Sequence, residues 1–582
     1  MAEKLEMMSS NIIQENIDYI ASKFPNTIKE VKENGKTVKK IDIESLIQVL
    51  TNDIIQDKQE RYQMTWPDKS KFIRLISEKI NKTLRPIRDK SVNFETTKNI
   101  YIEGDNFETL KVLRETYLNS VKLIYVDPPY NTGDDLIYKN SYEVDKDTFK
   151  IMNSEINEDG FLITHNTSQK GRFHTDWLNM MYSRIKVAHD LLSEDGCMVF
   201  AIDHNELANL LKICDEIFGE GNRVGIVTVV HKPEGRNQEK YFATSNEFAL
   251  FYAKNIIQFK FNSVVLDEEI EKTFNLKDFK GKYRLNNYIR LGGGDANLRK
   301  NKPHFYYPIY VSEDLKTIST KFNTDFFEVY PITSTQERTW KTKKETFEET
   351  LKSGDIIAEK DSKGKIVIYE KYRIDKGQLI KTHWTDKRYN AIYNGTKVLE
   401  KIMGLKAFDF PKSVYLLVDI LKLITDKNSI VLDIFSGSAT MAHAVMELNS
   451  EDQGTRKYIM VQLPEKTDEK SEINKLGYNT ICDIGQERIR RIGSEIKAKN
   501  STSGYNLDTG FRVLKLDSSN MNDVYYNPNS ITQDLLGTTV DNIKIDRTPL
   551  DLLFQIMLEL GIELSAKIEE KELLGKKYYV VN

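Results

Sequence analysis

The sequence predicts an α/β fold whose sheet is assembled from two separated stretches of chain. Three observations predict it. Between about Asn99 and Ala253, short apolar runs alternate with helical segments, the pattern of strand–helix–strand units. The same alternation resumes from Val414 to Ile496. Between them, about 255–400 breaks into short charged and aromatic pieces with many turns, and reads as an insert.

The elements follow in order. Residues 1–95 are rich in Lys, Glu, Ile and Asn, and Ile41–Ile54 carries apolar residues at helical spacing, which predicts an amphipathic helix. Val121–Val126 (VKLIYV) is a strand, Trp177–Leu192 a helix, Cys197–Ile202 a strand and Asn205–Phe218 a helix, with strands at Val224–Val230 and Glu247–Tyr252. After the insert come an apolar helix at Val414–Ile424, a strand at Ile430–Ile434 and a helix at Ala439–Leu448. A strand at Tyr458–Gln462 and a charged helix at Ile481–Ile496 complete this half. The expected divisions are an N-terminal helical region 1–95, a first half 96–254, the insert 255–400, a second half 401–504 and a small α+β unit 505–582, with no internal repeat.

Composition narrows the class. At roughly 150 residues per domain, 582 residues suggest three or four domains. Hydrophobic residues at 40% exclude a wholly disordered chain. Three cysteines (Cys197, Cys214, Cys482) cannot build a disulfide framework or a four-thiolate zinc site. The start, Met-Ala-Glu-Lys, is not that of a signal peptide, and no run approaches the ~18 apolar residues of a membrane span. A reduced, intracellular protein without a membrane segment is expected. The formal charge is −3, so any nucleic-acid surface must be local. Residues 271–400 are the basic part, with 26 Lys plus Arg against 18 Asp plus Glu.

Two motifs carry chemistry. Asp127-Pro128-Pro129-Tyr130 directly follows the strand VKLIYV. Its prolines fix φ and remove two backbone donors, which leaves a rigid loop with carbonyls free to accept. Asp127 and the Pro128 carbonyl can each accept one N–H of an exocyclic amine, while Tyr130 stacks on the ring that bears it. Paired acceptors localise the nitrogen lone pair, which can then attack an activated methyl group. The bland alternative is a Pro-Pro turn capping a strand. The second motif, Val431–Thr440 (VLDIFSGSAT), is a strand running into a small-residue turn and a helix. Small residues there let a ligand approach the backbone at the carboxyl edge of a sheet. No GKS or GKT follows, so it is not a phosphate loop, and it lacks the GxGxxG dinucleotide fingerprint.

Together and in this order, the motifs resemble the S-adenosylmethionine-dependent amino-methyltransferases of DNA in their β arrangement, where DPPY precedes a target-recognition region and an FxGxG cofactor loop. Tyr101–Leu110 (YIEGDNFETL), Asp127–Gly133, Lys232–Gln238, Tyr306–Val311, Asp409–Ser413 (DFPKS), the 430–449 segment and Ile484–Arg491 extend the resemblance over most of the chain. It is nearest to the modification subunits of type III restriction–modification systems. The resemblance implies a Rossmann-like methyltransferase sheet with an inserted target-recognition domain and small terminal units. It assigns Asp127, Pro128, Pro129 and Tyr130 to the flipped target base, and Phe435, Ser436, Gly437 and Ser438 to S-adenosylmethionine, with Asp433 at the strand end. Lys412 or Ser413 would touch the cofactor carboxylate, and Asp105 and Asn106 would lie near its adenine. Two positions depart from the family pattern. Ala439 stands where the loop often has a second Gly, which a negative φ would accommodate. Gln462 stands where many relatives place an acid, so the ribose contact passes to Gln462 or Glu465.

The implied activity is adenine-N6 methylation of double-stranded DNA without a metal. The alternatives are cytosine-N4 methylation, disfavoured by Asp127, a non-catalytic DNA-specificity subunit, and an RNA methyltransferase. The resemblance also implies a homodimer, an ATP-dependent restriction subunit as partner, and a place in the bacterial cytoplasm on the nucleoid. Other residues weigh less. His174 reads as a solvated or hydrogen-bonded loop histidine rather than one that contacts DNA or shapes the pocket, and His204 and His443 as structural. Lys341–Lys344 with Arg338 and Trp340, and the rings of Tyr283, Tyr288, Phe305, Tyr306, Tyr307 and Tyr310 among Arg284, Arg290, Arg299 and Lys300, suit either a nucleic-acid surface or the insert's own core.

Overall fold

The computed structural model describes residues 12–23, 28–33, 36–42, 64–133, 136–139, 162–165, 172–235, 241–292, 294–333, 336–500, 507–522 and 542–582. They form two compact units, one of residues 1–261 with 381–582, the other of residues 262–380.

The first unit is built on a ten-stranded sheet. Numbering only its strands, these are β1 Lys82–Pro86, β2 Ile100–Glu103, β3 Val121–Val126, β4 Leu192–Ile202, β5 Arg223–Val230, β6 Asn246–Ala253, β7 His383–Trp384, β8 Ile430–Asp433, β9 Lys457–Gln462 and β10 Arg512–Ser518. Their order across the sheet is β7-β5-β6-β4-β3-β8-β9-β2-β10-β1. The run from β4 through β3, β8, β9 and β2 to β10 is parallel, and β6 and β1 are antiparallel to their neighbours. The central strands are apolar and buried almost throughout, as expected where helices cover both faces. One core joins Val121, Ile124 and Val126 to Leu432, Ile434, Ile459, Val461 and Leu514. At about 1.5–3 kcal/mol for each fully buried aliphatic side chain, this shared core holds the two halves as one body.

The topology makes a crevice. From β3 the chain passes through helix α2 (Phe173–Leu191; α1 is Asn106–Tyr117) to β4 on one side. From β8 it passes through α4 (Thr440–Asp452; α3 is Val414–Ile424) to β9 on the other. The carboxyl ends of β3 and β8 therefore diverge, which is where open α/β sheets bind ligands. Tyr125 pairs in register with Asp433, so both chains leave the sheet at the same height.

Several boundaries differ from the sequence reading. The N-terminal region is not only helical. A helix at Ile12–Lys23 precedes an antiparallel pair, Ile28–Glu33 with Lys36–Ile41, and Lys82–Pro86 is a strand of the main sheet. Of the amphipathic helix expected at Ile41–Ile54, Ile41 ends that strand pair and residues 43–54 lie outside the described residues. The C-terminal segment contributes β10, and helix Pro549–Glu559 adds Leu550, Phe554, Met557 and Leu558 to the same core. Arg512 of β10 is fully buried yet satisfied, donating to the carbonyls of Phe94 (2.6 Å), Leu564 (2.6 Å) and Ala566 (2.8 Å). Residues 381–400 also belong to the first unit, where β7 pairs with β5 and the Tyr389 hydroxyl donates to Asp419 at 2.7 Å.

The second unit has a four-stranded antiparallel sheet, ordered Leu276–Asp278, Gly281–Asn287, Ile366–Arg373, Ile356–Lys360, and a three-stranded one centred on Ile309–Val311. Tyr288, Tyr307 and Trp340 form its core with Ile309, Val311 and Phe347, so these rings are structural. Tyr306 instead stacks on Tyr330 with the Arg299 guanidinium 4.3 Å over its ring. The unit holds 22 Lys plus Arg against 19 Asp plus Glu, a smaller excess than residues 271–400 carry. Among the described residues no helix is long and apolar enough to cross a membrane, and no group of His, Cys, Asp and Glu is placed to hold a metal ion.

Candidate active site

The DPPY loop leaves β3 and is pinned from below. Trp177 of α2, fully buried, donates its indole N–H to the Pro129 carbonyl at 2.7 Å. Among the described residues the Pro128 carbonyl has no donor. Asn131, at φ +59°, donates to the buried carboxylate of Glu206 at 2.5 Å, and His174 Nδ1 lies 2.6 Å from the same oxygen. His174 thus braces this loop. Rigidity that the two prolines supply along the chain is completed by Trp177 and Glu206 across it.

A charged cluster faces the loop. Lys412, from the DFPKS segment that opens α3, places Nζ 2.7 Å from Glu247 Oε2 and 3.2 Å from Asp127 Oδ1. It also donates to the Tyr130 hydroxyl and lies 4.8 Å from that ring's centroid. The Tyr130 hydroxyl donates to Glu247 Oε2 at 3.0 Å. Glu247 reaches this edge because β6 runs antiparallel to β4, pairing Phe248 with Ile202 at the carboxyl end of β4. Burial raises the Asp127 pKa above the usual carboxylate range, with Lys412 opposing and Glu247 adding to the rise. Burial acts most strongly on Glu247 and would raise its pKa, but Lys412, His231 and the Tyr130 hydroxyl together hold it below that range. Burial would also lower the Lys412 pKa, and the two carboxylates reverse that. Beneath them Tyr125 is buried, and its hydroxyl has no partner among the described residues. Asp433 is pushed up to about 8 by burial, an effect that the Phe435 N–H at 3.1 Å lowers and Asp127 raises.

The second loop follows β8. Ser436 N donates to the Val461 carbonyl at 3.1 Å and Gly437 N to Gln462 Oε1 at 2.7 Å. Gly437 has φ +47°, and a Cβ there would meet Phe408 Cζ at 3.2 Å, so this turn needs glycine on both counts. Ala439 has φ +59°, not the negative φ expected of it, at a cost of about 1 kcal/mol. Ser438 Oγ accepts from Arg488 at 3.0 Å. Glu465 Oε1 lies 3.4 Å from the Gln462 amide nitrogen.

The residues named by resemblance thus divide. Asp127, Tyr130, Asp433 and the Phe435–Ser438 loop meet at the crevice, with Gln462 and Glu465 behind the loop. Asn106 reaches it too, donating to the Ile434 carbonyl at 2.8 Å. Asp105 is occupied elsewhere, capping α1 through Glu108 N at 3.0 Å and pairing with the buried Arg184 at 2.9 Å. Ser413 Oγ donates to the Arg388 carbonyl at 2.6 Å, which fixes the start of α3. Lys412, expected toward a cofactor carboxylate, is instead drawn to Asp127 and Glu247, since a buried ammonium needs paired counter-charge. Sequence reasoning missed Glu247, Tyr125, Trp177 and Glu206. An acid opening the apolar strand NEFALFYA is the signal that could have flagged Glu247.

These residues fit a cationic methyl donor such as S-adenosylmethionine. Gly437 leaves the loop without a side chain toward Phe408, and two carboxylates, Asp127 and Glu247, around the single ammonium of Lys412 give the crevice a negative balance. A family model described as DNA methylase matches residues 121–497. The type III restriction–modification enzyme EcoPI Mod subunit of Escherichia phage P1 is 30% identical over 527 residues, covering 88% of this chain and 79% of that protein. The StyLTI Mod subunit of Salmonella typhimurium is 32% identical over 435 residues, 72% of this chain and 60% of that protein. The type II methyltransferase M.KpnI of Klebsiella pneumoniae is 29% identical over 400 residues, 68% of this chain and 88% of that protein. The matched span runs from the strand that carries Asp127 through the second loop to helix Ile481–Lys499, and the chain belongs to the DNA methylase family.

Proposed function

We propose that this chain transfers a methyl group from S-adenosylmethionine to N6 of adenine in double-stranded DNA, as the modification component of a type III restriction–modification system. The observation that carries the reading is a pair of acceptors, the Asp127 carboxylate and the Pro128 carbonyl, unclaimed among the described residues, at a strand end level with the Gly437 loop. An exocyclic amine has two N–H donors to give them. Adenine inside a duplex cannot present N6, so the target is rotated out of the stack, against the Tyr130 ring.

Phe435 through Ser438, with Asp433, Asn106, Gln462 and Glu465 around them, would hold the cofactor, which when bound supplies an electrophilic methyl group. Asp127 and the Pro128 carbonyl would orient the amine so that its lone pair points at the methyl group the bound cofactor would supply, the sulfur keeping the electron pair of the bond given up. The nitrogen then carries a positive charge and sheds one N–H proton to water or a pocket carboxylate. Rigid positioning by the prolines, Trp177 and Glu206 turns an encounter into a preorganised displacement.

Residues 262–380 are the target-recognition region on this reading. Arg299 over Tyr306, which stacks on Tyr330, offers the mixed aromatic and cationic surface that nucleic acid favours. Its net charge is small for a module that must meet several phosphates, so two copies sharing one site suit it better than one. A homodimer in the bacterial cytoplasm, bound to the nucleoid and able to engage an ATP-dependent restriction subunit, follows from the likeness to Mod subunits. The test is to incubate the purified chain with duplex DNA and S-adenosylmethionine and identify modified nucleosides by mass spectrometry. N6-methyladenine is the expected product. N4-methylcytosine, or unmodified DNA, would overturn the reading, and light scattering of an active species at 67.5 kDa would overturn the dimer.

A further inference from the structure

Glu247 is a buried acid that the chemistry above does not use. Its Oε2 lies 2.7 Å from Lys412 Nζ and accepts from the Tyr130 hydroxyl at 3.0 Å. Lys412 Nζ is also 3.2 Å from Asp127 Oδ1. Side-chain exposure rises from 7% at Glu247 through 13% at Lys412 to 24% at Asp127. The ammonium therefore sits between an inner carboxylate and an outer one. An ammonium has donors only, so each donor it gives to Asp127 takes an acceptor site from an incoming amine.

We propose that Glu247 is a positioning residue for methyl transfer, anchoring Lys412 on the inner side so that Asp127 can exchange the ammonium for the target amine. This rests on the methyltransferase reading. When the amine arrives, Lys412 must keep a partner, because a buried charge left alone is costly. Glu247 and the Tyr130 hydroxyl are that partner. Charge argues the same way. Asp127, Lys412 and Glu247 together carry −1, which favours a nitrogen acquiring positive charge. Without Glu247 the sum is zero, and Asp127 is the one carboxylate of the cluster left to Lys412. His231, the other titratable group acting on Glu247, adds positive charge only when protonated.

The test uses the full chain as wild type, Glu247→Gln, Glu247→Asp, Lys412→Met and the double variant Glu247→Gln/Lys412→Met. S-adenosylmethionine binding is read by calorimetry, target-base extrusion by 2-aminopurine fluorescence, and methyl transfer in a single turnover. Glu247→Gln should bind cofactor and extrude the base like wild type, yet transfer methyl about 10- to 100-fold more slowly, the scale seen when a partner orienting a reactive group is lost. Glu247→Asp should recover most of the rate. In the Lys412→Met background there is no ammonium to anchor, so Glu247→Gln should change the rate by less than about twofold. That comparison stands even where Glu247→Gln alone folds poorly. A wild-type rate in Glu247→Gln, an undiminished effect in the Lys412→Met background, or loss of cofactor binding in Glu247→Gln would overturn the proposal. Failure of the parent reading is distinct, since wild type itself would then leave DNA unmethylated.

Discussion

Tyr130→Phe separates a stacking ring from a working hydroxyl. If Tyr130 offers only its face to the target base, phenylalanine should serve almost as well. The structure gives the hydroxyl two charged partners, since it accepts from Lys412 and donates to Glu247 at 3.0 Å. Hydrogen bonds to charged groups contribute about 1.5–3 kcal/mol each, so if the equivalent of one of the two is lost in the transition state, transfer should slow by about 10- to 150-fold. The ring, and the ammonium 4.8 Å from its centroid, would survive. Tyr130→Ala removes the ring as well, adding about 1–3 kcal/mol of lost base stacking. The assay is single-turnover methylation at saturating DNA and cofactor, beside 2-aminopurine fluorescence at the target position. Tyr130→Phe should extrude the base normally and transfer slowly, while Tyr130→Ala should fail at both. A Tyr130→Phe rate within about twofold of wild type would refute a role for the hydroxyl network.

Asp127→Ala should leave S-adenosylmethionine affinity unchanged by calorimetry while cutting methyl transfer at least about 100-fold, the usual cost of losing a preorganised partner of the reacting group; near-normal turnover would remove Asp127 from the mechanism. Asp433 stays protonated in the fold up to about 8, whereas in the unfolded chain it ionises near 3.8. Between those values the unfolded chain binds fewer protons, so stability falls as pH rises, by at most about 1.4 kcal/mol per unit. Asp433→Asn keeps an acceptor for Phe435 N and removes that loss, so its melting temperature should gain on wild type from pH 5 to pH 8; an equal difference at both pH values would contradict the burial argument. Ala439→Gly should raise the urea midpoint by about 1 kcal/mol of stability with an unchanged slope, since glycine accepts φ +59° freely; a lowered midpoint would show that the turn is not strained.

What could be read from the sequence was whatever depends on nearby residues. VKLIYV, CMVFAI and YIMVQ are apolar runs too short for helices, and each proved a central strand. The two motifs, at the ends of VKLIYV and of IVLD, were visible because their chemistry lies along the chain. β1 and β10 were missed because KTLRP and RVLKLDS carry charges that only tertiary partners explain: Arg85 bonds Asp517 and Asp551, and Arg512 bonds four backbone carbonyls. Glu247 was missed for the same reason. Its partner is 165 residues away in the chain, and nothing local in NEFALFYA marks its acid as paired. Tyr288 and Trp340 could not be assigned to core or surface from composition, because only packing in the second unit decides it.

The order of the motifs also has a physical reason. Parallel neighbours need no sequence adjacency, so β3 and β8 can lie side by side although about 300 residues separate them. What they require is register, and Tyr125 against Asp433 supplies it by bringing Asp127 and Phe435 out of the sheet two residues later on each strand. The second unit, residues 262–380, is inserted between β6 and the edge strand β7, outside the hydrogen-bonded centre of the sheet. Loop-closure entropy grows only with the logarithm of insert length, so enlarging or replacing such an insert costs the sheet little. Glu247 is the exception that ties the two concerns together. It stands at the start of β6, the last strand before the insert, and it holds the lysine that Asp127 must release. An insert at this place could thus diversify freely, while the start of β6 stays bound to the Asp127 cluster.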